Sequence, residues 1–196
     1  GILTRIMQKD PALEETGTLI FDEFHERSLY ADLGLACALE IQETIRPDLR
    51  IIVMSATLDS QALSRIMPGA GVISSPGQCF PVKTRYLVNP GIRLEHHTAR
   101  VIMKALEQET GNILVFLPGA GEIKRTRGLL EDMFSHREGE SIIIAPLYGA
   151  LGWKDQIMAI RPPPPGKRKV VLATSIAETS LTIEGIRVVV DSGVMR

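Results

Sequence analysis

Thr18-Leu-Ile-Phe-Asp-Glu-Phe-His-Glu-Arg-Ser28 opens with a short apolar run of β-forming character and turns abruptly polar at Asp22 and Glu23. The same grammar recurs along the chain. Arg50-Ile-Ile-Val-Met54, Asn112-Ile-Leu-Val-Phe-Leu117, Ser141-Ile-Ile-Ile-Ala145, Lys169-Val-Val-Leu-Ala173 and Arg187-Val-Val-Val-Asp191 each end in a small or polar cluster. Apolar runs without alternation predict strands buried on both faces, as in parallel sheets. Helix-like stretches lie between them at 28–45, 60–67, 94–109, 122–134 and 154–160. Strand followed by helix, repeated, predicts an α/β protein with parallel sheets wrapped by helices.

Val88-Asn-Pro-Gly-Ile-Arg93 reads as a linker, because Pro90 removes a backbone donor, Gly91 relaxes the chain, and a fresh helix–strand series follows. Two domains are therefore expected, over residues 1–88 and 89–196. Arg161-Pro-Pro-Pro-Pro-Gly-Lys-Arg-Lys169 reads as a stiff, exposed basic loop, a solvated connector before a binding site. A formal net charge of -1 means that any nucleic-acid contact must come from a local groove and not from bulk basicity. Cys37 and Cys79 are far apart in sequence and fit buried free thiols. No apolar run approaches the roughly 18 residues of a membrane span, and no signal-peptide pattern opens the chain, so a cytoplasmic location is expected.

In open parallel sheets functional side chains gather at the carboxyl ends of the strands. Adjacent Asp22 and Glu23 there suit a nucleotide-bound magnesium ion, Asp22 holding it through water and Glu23 polarising the water that attacks a terminal phosphate. The same pair could equally cap a helix start. His25-Glu26 could open a zinc-protease pattern, but the position that needs a second histidine is Leu29, which rules it out. His96, His97 and His136 show no metal-ligand spacing with it.

The order of segments removes the ambiguity. Asp22-Glu-Phe-His-Glu-Arg-Ser28 is followed by Ser55-Ala-Thr57, by Ile113-Leu-Val-Phe-Leu-Pro-Gly119 and by Pro146-Leu-Tyr-Gly-Ala-Leu151. Ala173-Thr-Ser-Ile-Ala-Glu-Thr-Ser-Leu-Thr-Ile183 and Val189-Val-Asp-Ser-Gly193 close the series. The set resembles motifs II to V of the DEAH-box superfamily 2 helicases over essentially the whole chain. It looks closest to the bacterial HrpB-like branch, in which Phe often stands in place of the Ala of DEAH. Gly1-Ile-Leu-Thr-Arg5 looks like the end of the motif just upstream.

That resemblance implies two RecA-like parallel-sheet domains, both truncated, in an ATP-dependent nucleic-acid helicase or translocase using ATP and Mg2+, with RNA favoured over DNA as the single strand. It implies that Asp22 and Glu23 serve the metal and the water and that His25 links the nucleotide site to the rest of the motor. Ser55 and Thr57 would couple hydrolysis to unwinding. Gly1, Arg5, Thr174 and Thr179 would contact the nucleic-acid backbone, and Thr182 and Glu184 would lie near the ribose and the nucleotide. The two domains would close on ATP and reopen after hydrolysis. Hydroxyls and amides grip phosphates and sugars without reading bases, as a motor stepping along any sequence requires. Lys124, Arg125 and Arg127 could add a basic track, or form a solvated helix face. No Gly-x-x-x-x-Gly-Lys-Ser/Thr loop occurs in the chain, so the resemblance places that loop upstream and an arginine-rich motif downstream, and the segment alone is expected to be inactive. Ser175 stands where the family usually has Asn, and Gly119-Ala-Gly121 replaces a more polar stretch. The alternative is a non-hydrolysing nucleic-acid-binding scaffold of the same fold.

Overall fold

β1 (Thr18–Phe21) and β2 (Arg50–Val53) pair in parallel, with Thr18 opposite Arg50 and Phe21 opposite Val53. The other four strands, β3 (Asn112–Phe116), β4 (Ile142–Leu147), β5 (Arg168–Ala173) and β6 (Ile186–Asp191), form a second all-parallel sheet in the order β4-β5-β3-β6. The computed structural model describes every residue except 57–59, 76, 78–79, 89–90, 136–140, 178–180 and 195–196. The chain divides into two units, Gly1–Pro81 and Val82–Arg196.

In the first unit α2 (Leu29–Thr44) is the crossover between the two strands, begun by Ser28, whose Oγ accepts the Ala31 amide at 3.1 Å. Its buried face, Leu35 and Ala38, packs with Phe21 and Phe24, and Leu3 of α1 (Ile2–Lys9) joins the edge of that cluster. Gly34 makes this approach possible, since a Cβ there would lie 3.2 Å from Leu3 Cδ2 and 3.4 Å from Phe21 Cε1. Helix α1 covers residues read from sequence only as the tail of a backbone-gripping segment. α3 (Ser60–Ile66) follows β2.

The second unit is three layers deep. Ile113, Val115, Val170 and Leu172 face α4 (Leu94–Gln108) and α5 (Ala120–Ser135), through Ala99, Ile102, Ile123 and Leu130. On the opposite face Ala145, Leu147, Val171 and Ala173 pack with Ala159 of α6 (Trp153–Ile160). Each large aliphatic side chain buried in this way contributes roughly 1.5–3 kcal/mol.

Two sequence expectations need correction. Burial on both faces holds for β5 but not for β1, β2 or β6, in which exposed residues alternate with partly buried ones or, at Phe21 of β1, a buried one. Ile20 is 60% exposed because, among the described residues, helices cover only one face of the β1–β2 pair. Alternate residues of β6, Val188 and Val190, pack on the core, and those between them are exposed. The basic stretch 161–169 is not a single exposed loop: Arg168 and Lys169 belong to β5, and Lys169 is 2% exposed. Arg168 donates to the carbonyls of Leu106, Glu109 and Gly111 behind α4, and Lys169 Nζ to those of Met158, Ala159 and Arg161 at the end of α6. Both cations satisfy helix C-terminal carbonyls that the helices leave open. Of the two readings offered for Lys124, Arg125 and Arg127, the solvated helix face holds, since all three are exposed on α5. Arg125 pairs with Glu95 at 2.5 Å and Glu122 at 2.8 Å, and Arg127 with Glu131 at 2.7 Å. The Glu95 carboxyl is held below its ordinary value by its own backbone amide and then by Arg125.

Candidate nucleotide and nucleic-acid sites

At the carboxyl end of β1 the chain turns sharply. Glu23 has φ 49° and ψ 37°, Phe24–Glu26 form one 3-10 turn, and Arg27 has φ 50°. A left-handed non-glycine residue costs on the order of 1–3 kcal/mol and persists only where its surroundings over-determine it. Here the Phe24 amide donates to the Met54 carbonyl at 3.0 Å, beyond the end of β2. The Phe24 ring is 7% exposed and meets Phe21 edge-on, with ring centroids 6.4 Å apart and planes at 83°. The turn is therefore pinned by its backbone on one side and by an aromatic anchor on the other.

This turn presents Asp22 to solvent and leaves Glu23 and His25 partly exposed, at 41% and 28% of their side chains. Asp22 Oδ1 accepts the Glu23 amide at 2.8 Å, which fixes the carboxylate beside the strand end. The Ala56 amide donates to His25 Nδ1 at 3.3 Å, and Glu23 Oε2 lies 3.4 Å from the same nitrogen. The His25 Nδ1 thus sits between the Ala56 amide and the Glu23 carboxylate. The sequence singled out Ser55 and Thr57 as the partners of this segment. Ser55 lies partly buried beside the contact, Thr57 lies outside the described residues, and the bond to His25 comes from the backbone of Ala56. A backbone donor leaves no side-chain signature, so the sequence could not single out Ala56.

Two neighbouring carboxylates at an open strand end suit a hard divalent cation that keeps waters and takes its other ligands from phosphates. Among the described residues no group of three or more metal-ligating side chains could hold an ion unaided. Gly1 precedes the first turn of α1, where its carbonyl accepts from Thr4 Oγ1 at 2.8 Å, and Arg5 is exposed on that helix.

In the second unit β3 leads by α5 to β4, and β5 leads to β6. Leu117-Pro118-Gly119 and Thr174 follow the carboxyl ends of the neighbouring strands β3 and β5, tied together by the Leu117 amide on the Ala173 carbonyl at 2.8 Å. Thr174 is partly buried and starts a second 3-10 turn, Ser175–Ala177; Thr179 lies outside the described residues. Thr182 and Glu184 are exposed further along. The Glu184 carbonyl accepts Asn112 Nδ2 at 3.1 Å, while Asn112 Oδ1 accepts the Lys169 amide at 2.9 Å. Asn112 thus staples the β6 entry to β3 and β5, a role its place at the head of an apolar run did not announce. Gly185, at φ 76°, allows it, since a Cβ there would sit 2.8 Å from Asn112 Nδ2.

Comparison with known proteins adds a second line of observation. Residues 97–195 match the helicase conserved C-terminal domain. The chain is 52% identical over 192 residues to the ATP-dependent RNA helicase HrpB of Escherichia coli (strain K12), covering 97% of this chain and 23% of that protein. It is 40% identical over 202 residues to the pre-mRNA-splicing factor ATP-dependent RNA helicase prp22 of Schizosaccharomyces pombe, covering 100% of this chain and 17% of that protein. The crystal structure of the E. coli DEAH/RHA helicase HrpB superposes with a TM-score of 0.86 at 52% identity, over 97% of this chain and 24% of that one. The chain spans about a quarter or less of the length of the relatives it matches. With two parallel α/β sheets of RecA-like form, a strand-end Asp-Glu pair and a domain match over 97–195, the chain belongs to the helicase conserved C-terminal domain family.

Proposed function

We propose that this chain is the part of an ATP-dependent nucleic-acid helicase or translocase that holds the metal-and-water carboxylates in one unit and a backbone grip in the other. The observation that carries this reading is the bond from the Ala56 amide to His25 Nδ1, which joins Asp22-Glu23-Phe24-His25 to Ser55-Ala56 beside the strand end. Asp22 and Glu23 would hold Mg2+ through water on the ATP phosphates, and the ion would supply neutralisation of charge developing there. Glu23 orients and polarises the attacking water. His25 passes the state of that site to the segment after β2, with Ser55 and Thr57 bracing it. Thr174 and Thr179 grip the backbone of a single strand, as do Gly1 and Arg5, and Thr182 and Glu184 face the ribose and the nucleotide. RNA is the favoured strand, because hydroxyls and amides can meet a ribose 2′-OH. The relatives named above are RNA helicases by name. Among the described residues no helix is long and apolar enough to cross a membrane; a cytoplasmic place belongs to this proposal.

The test is Glu23→Gln in the full-length protein. Loss of a positioned base lowers turnover by about 100-fold or more, so RNA-stimulated ATP hydrolysis should fall by that factor while single-strand binding persists. Undiminished hydrolysis in Glu23→Gln sinks the assignment. Binding without any hydrolysis in the unsubstituted protein would point to the non-hydrolysing scaffold.

A further inference from the structure

Asp22, Glu23 and His25 are held by the turn around Phe24, and nothing in their own chemistry explains why that turn keeps its shape. Three non-glycine residues have positive φ among the described residues, and two of them, Glu23 and Arg27, flank Phe24–Glu26. A turn strained at both ends relaxes unless something holds its middle. The Asp22 Oδ1 bond to the Glu23 amide is exposed, and so is the Arg27–Asp32 ion pair at 3.2 Å, so water competes with both. The buried hold is Phe24. Its amide is tied to the Met54 carbonyl, and its ring lies among Phe21, Leu35 and Ala38. Gly34 leaves room for Leu3 at the edge of that cluster, since a Cβ there would lie 3.2 Å from Leu3 Cδ2.

We propose that Phe24 is a positioning residue for Glu23: its buried ring fixes the left-handed backbone from which the Glu23 carboxylate reaches the reacting water. The proposal rests on the reading of Glu23 given above. The Phe24 side chain is buried, so it acts through the direction in which its neighbour's carboxylate points. Shortening its side chain lets the Glu23 φ drift towards negative values and swings the carboxylate by a substantial part of an ångström. A displacement of that size is costly because catalysis by positioning falls by up to about 100-fold for a 1 Å error. Binding of ATP depends on other groups and should change little. His25 is one residue on from the same anchor, so its bond to the Ala56 amide should loosen together with Glu23.

The experiment uses the full-length protein with Phe24→Leu, Phe24→Val and Phe24→Ala, measuring kcat and KM for ATP under saturating poly(U), poly(U) affinity and the melting temperature. Expected is a graded fall in kcat, about tenfold or more for Phe24→Ala and within about threefold for Phe24→Leu, with KM and poly(U) affinity changed less than about threefold. Phe24→Val takes the place of Phe24→Ala if the latter does not fold, and should show the same selective loss. An unchanged kcat in a folded Phe24→Val or Phe24→Ala overturns the proposal. So does a parallel loss of kcat, KM and poly(U) binding that Phe24→Leu fails to rescue, since that is the pattern of general destabilisation. Glu23→Gln is measured beside them: if it hydrolyses ATP normally, the functional reading itself has failed, whatever the Phe24 series gives.

Discussion

Lys169 is almost completely buried, yet its ammonium faces three carbonyls at the end of α6. Burial lowers its pKa from the ordinary lysine value. The carbonyl end of the helix favours the charged form and offsets part of that cost. Lys169→Met keeps most of the aliphatic stem but leaves the carbonyls of Met158, Ala159 and Arg161 without this donor. Leaving buried acceptors unpaired costs about 1–3 kcal/mol, so a urea melt of the 196-residue chain should show a loss of that order. No measurable loss would mean that water replaces the ammonium. Arg168, one residue earlier, does the corresponding work for α4. Sequence alone put Arg168 in a basic loop and Lys169 where that loop meets a strand, because a cation that serves a helix end in three dimensions has the same local neighbours as one that meets solvent.

β1 and β5 differ at the level of the element. Both are short parallel strands of similar residues, but β5 pairs with β3 and β4 and is buried from Lys169 to Ala173. Among the described residues β1 pairs only with β2 and turns Thr18 and Ile20 to solvent. Amides of strands with one partner and one open face exchange through cheaper local openings. Hydrogen exchange on the 196-residue chain should therefore show Leu19–Phe21 losing protection well before Val170–Ala173. Equal or stronger protection in β1 would show that its open face is covered in solution. Periodicity located these strands to within a residue or two, and the helices nearly as well. What it could not locate was α1, whose residues carry no strand or turn punctuation, or the two 3-10 turns, which depend on contacts to Met54 and Leu147 rather than on spacing.

At the scale of the molecule, the proposed ATP turnover is expected to need groups beyond those read in the 196 residues. No Gly-x-x-x-x-Gly-Lys-Ser/Thr loop occurs within the 196 residues, and without such a loop the nucleotide phosphates have no fixed cradle. The isolated chain should show no ATP hydrolysis stimulated by RNA above its unstimulated background. Robust turnover that vanishes in Glu23→Gln would overturn this expectation. The sequence by itself determined the α/β class, the order of strands and helices, and the family, because these follow from local hydrophobic periodicity and from an ordered set of short segments. It also offered Asp22 and Glu23 as candidates, since carboxylates after an apolar run mark a strand end, and the family resemblance added His25. Only the tertiary structure decided how those residues are held, by the Ala56 amide on His25 and the Phe24 anchor under a left-handed Glu23, and how the second unit is tied within itself, by the Asn112 staple and the Arg168 and Lys169 caps. Each joins residues distant in sequence through a backbone group or a packed ring. Backbone groups are the same at every residue, so nothing in the sequence marks which of them will be used.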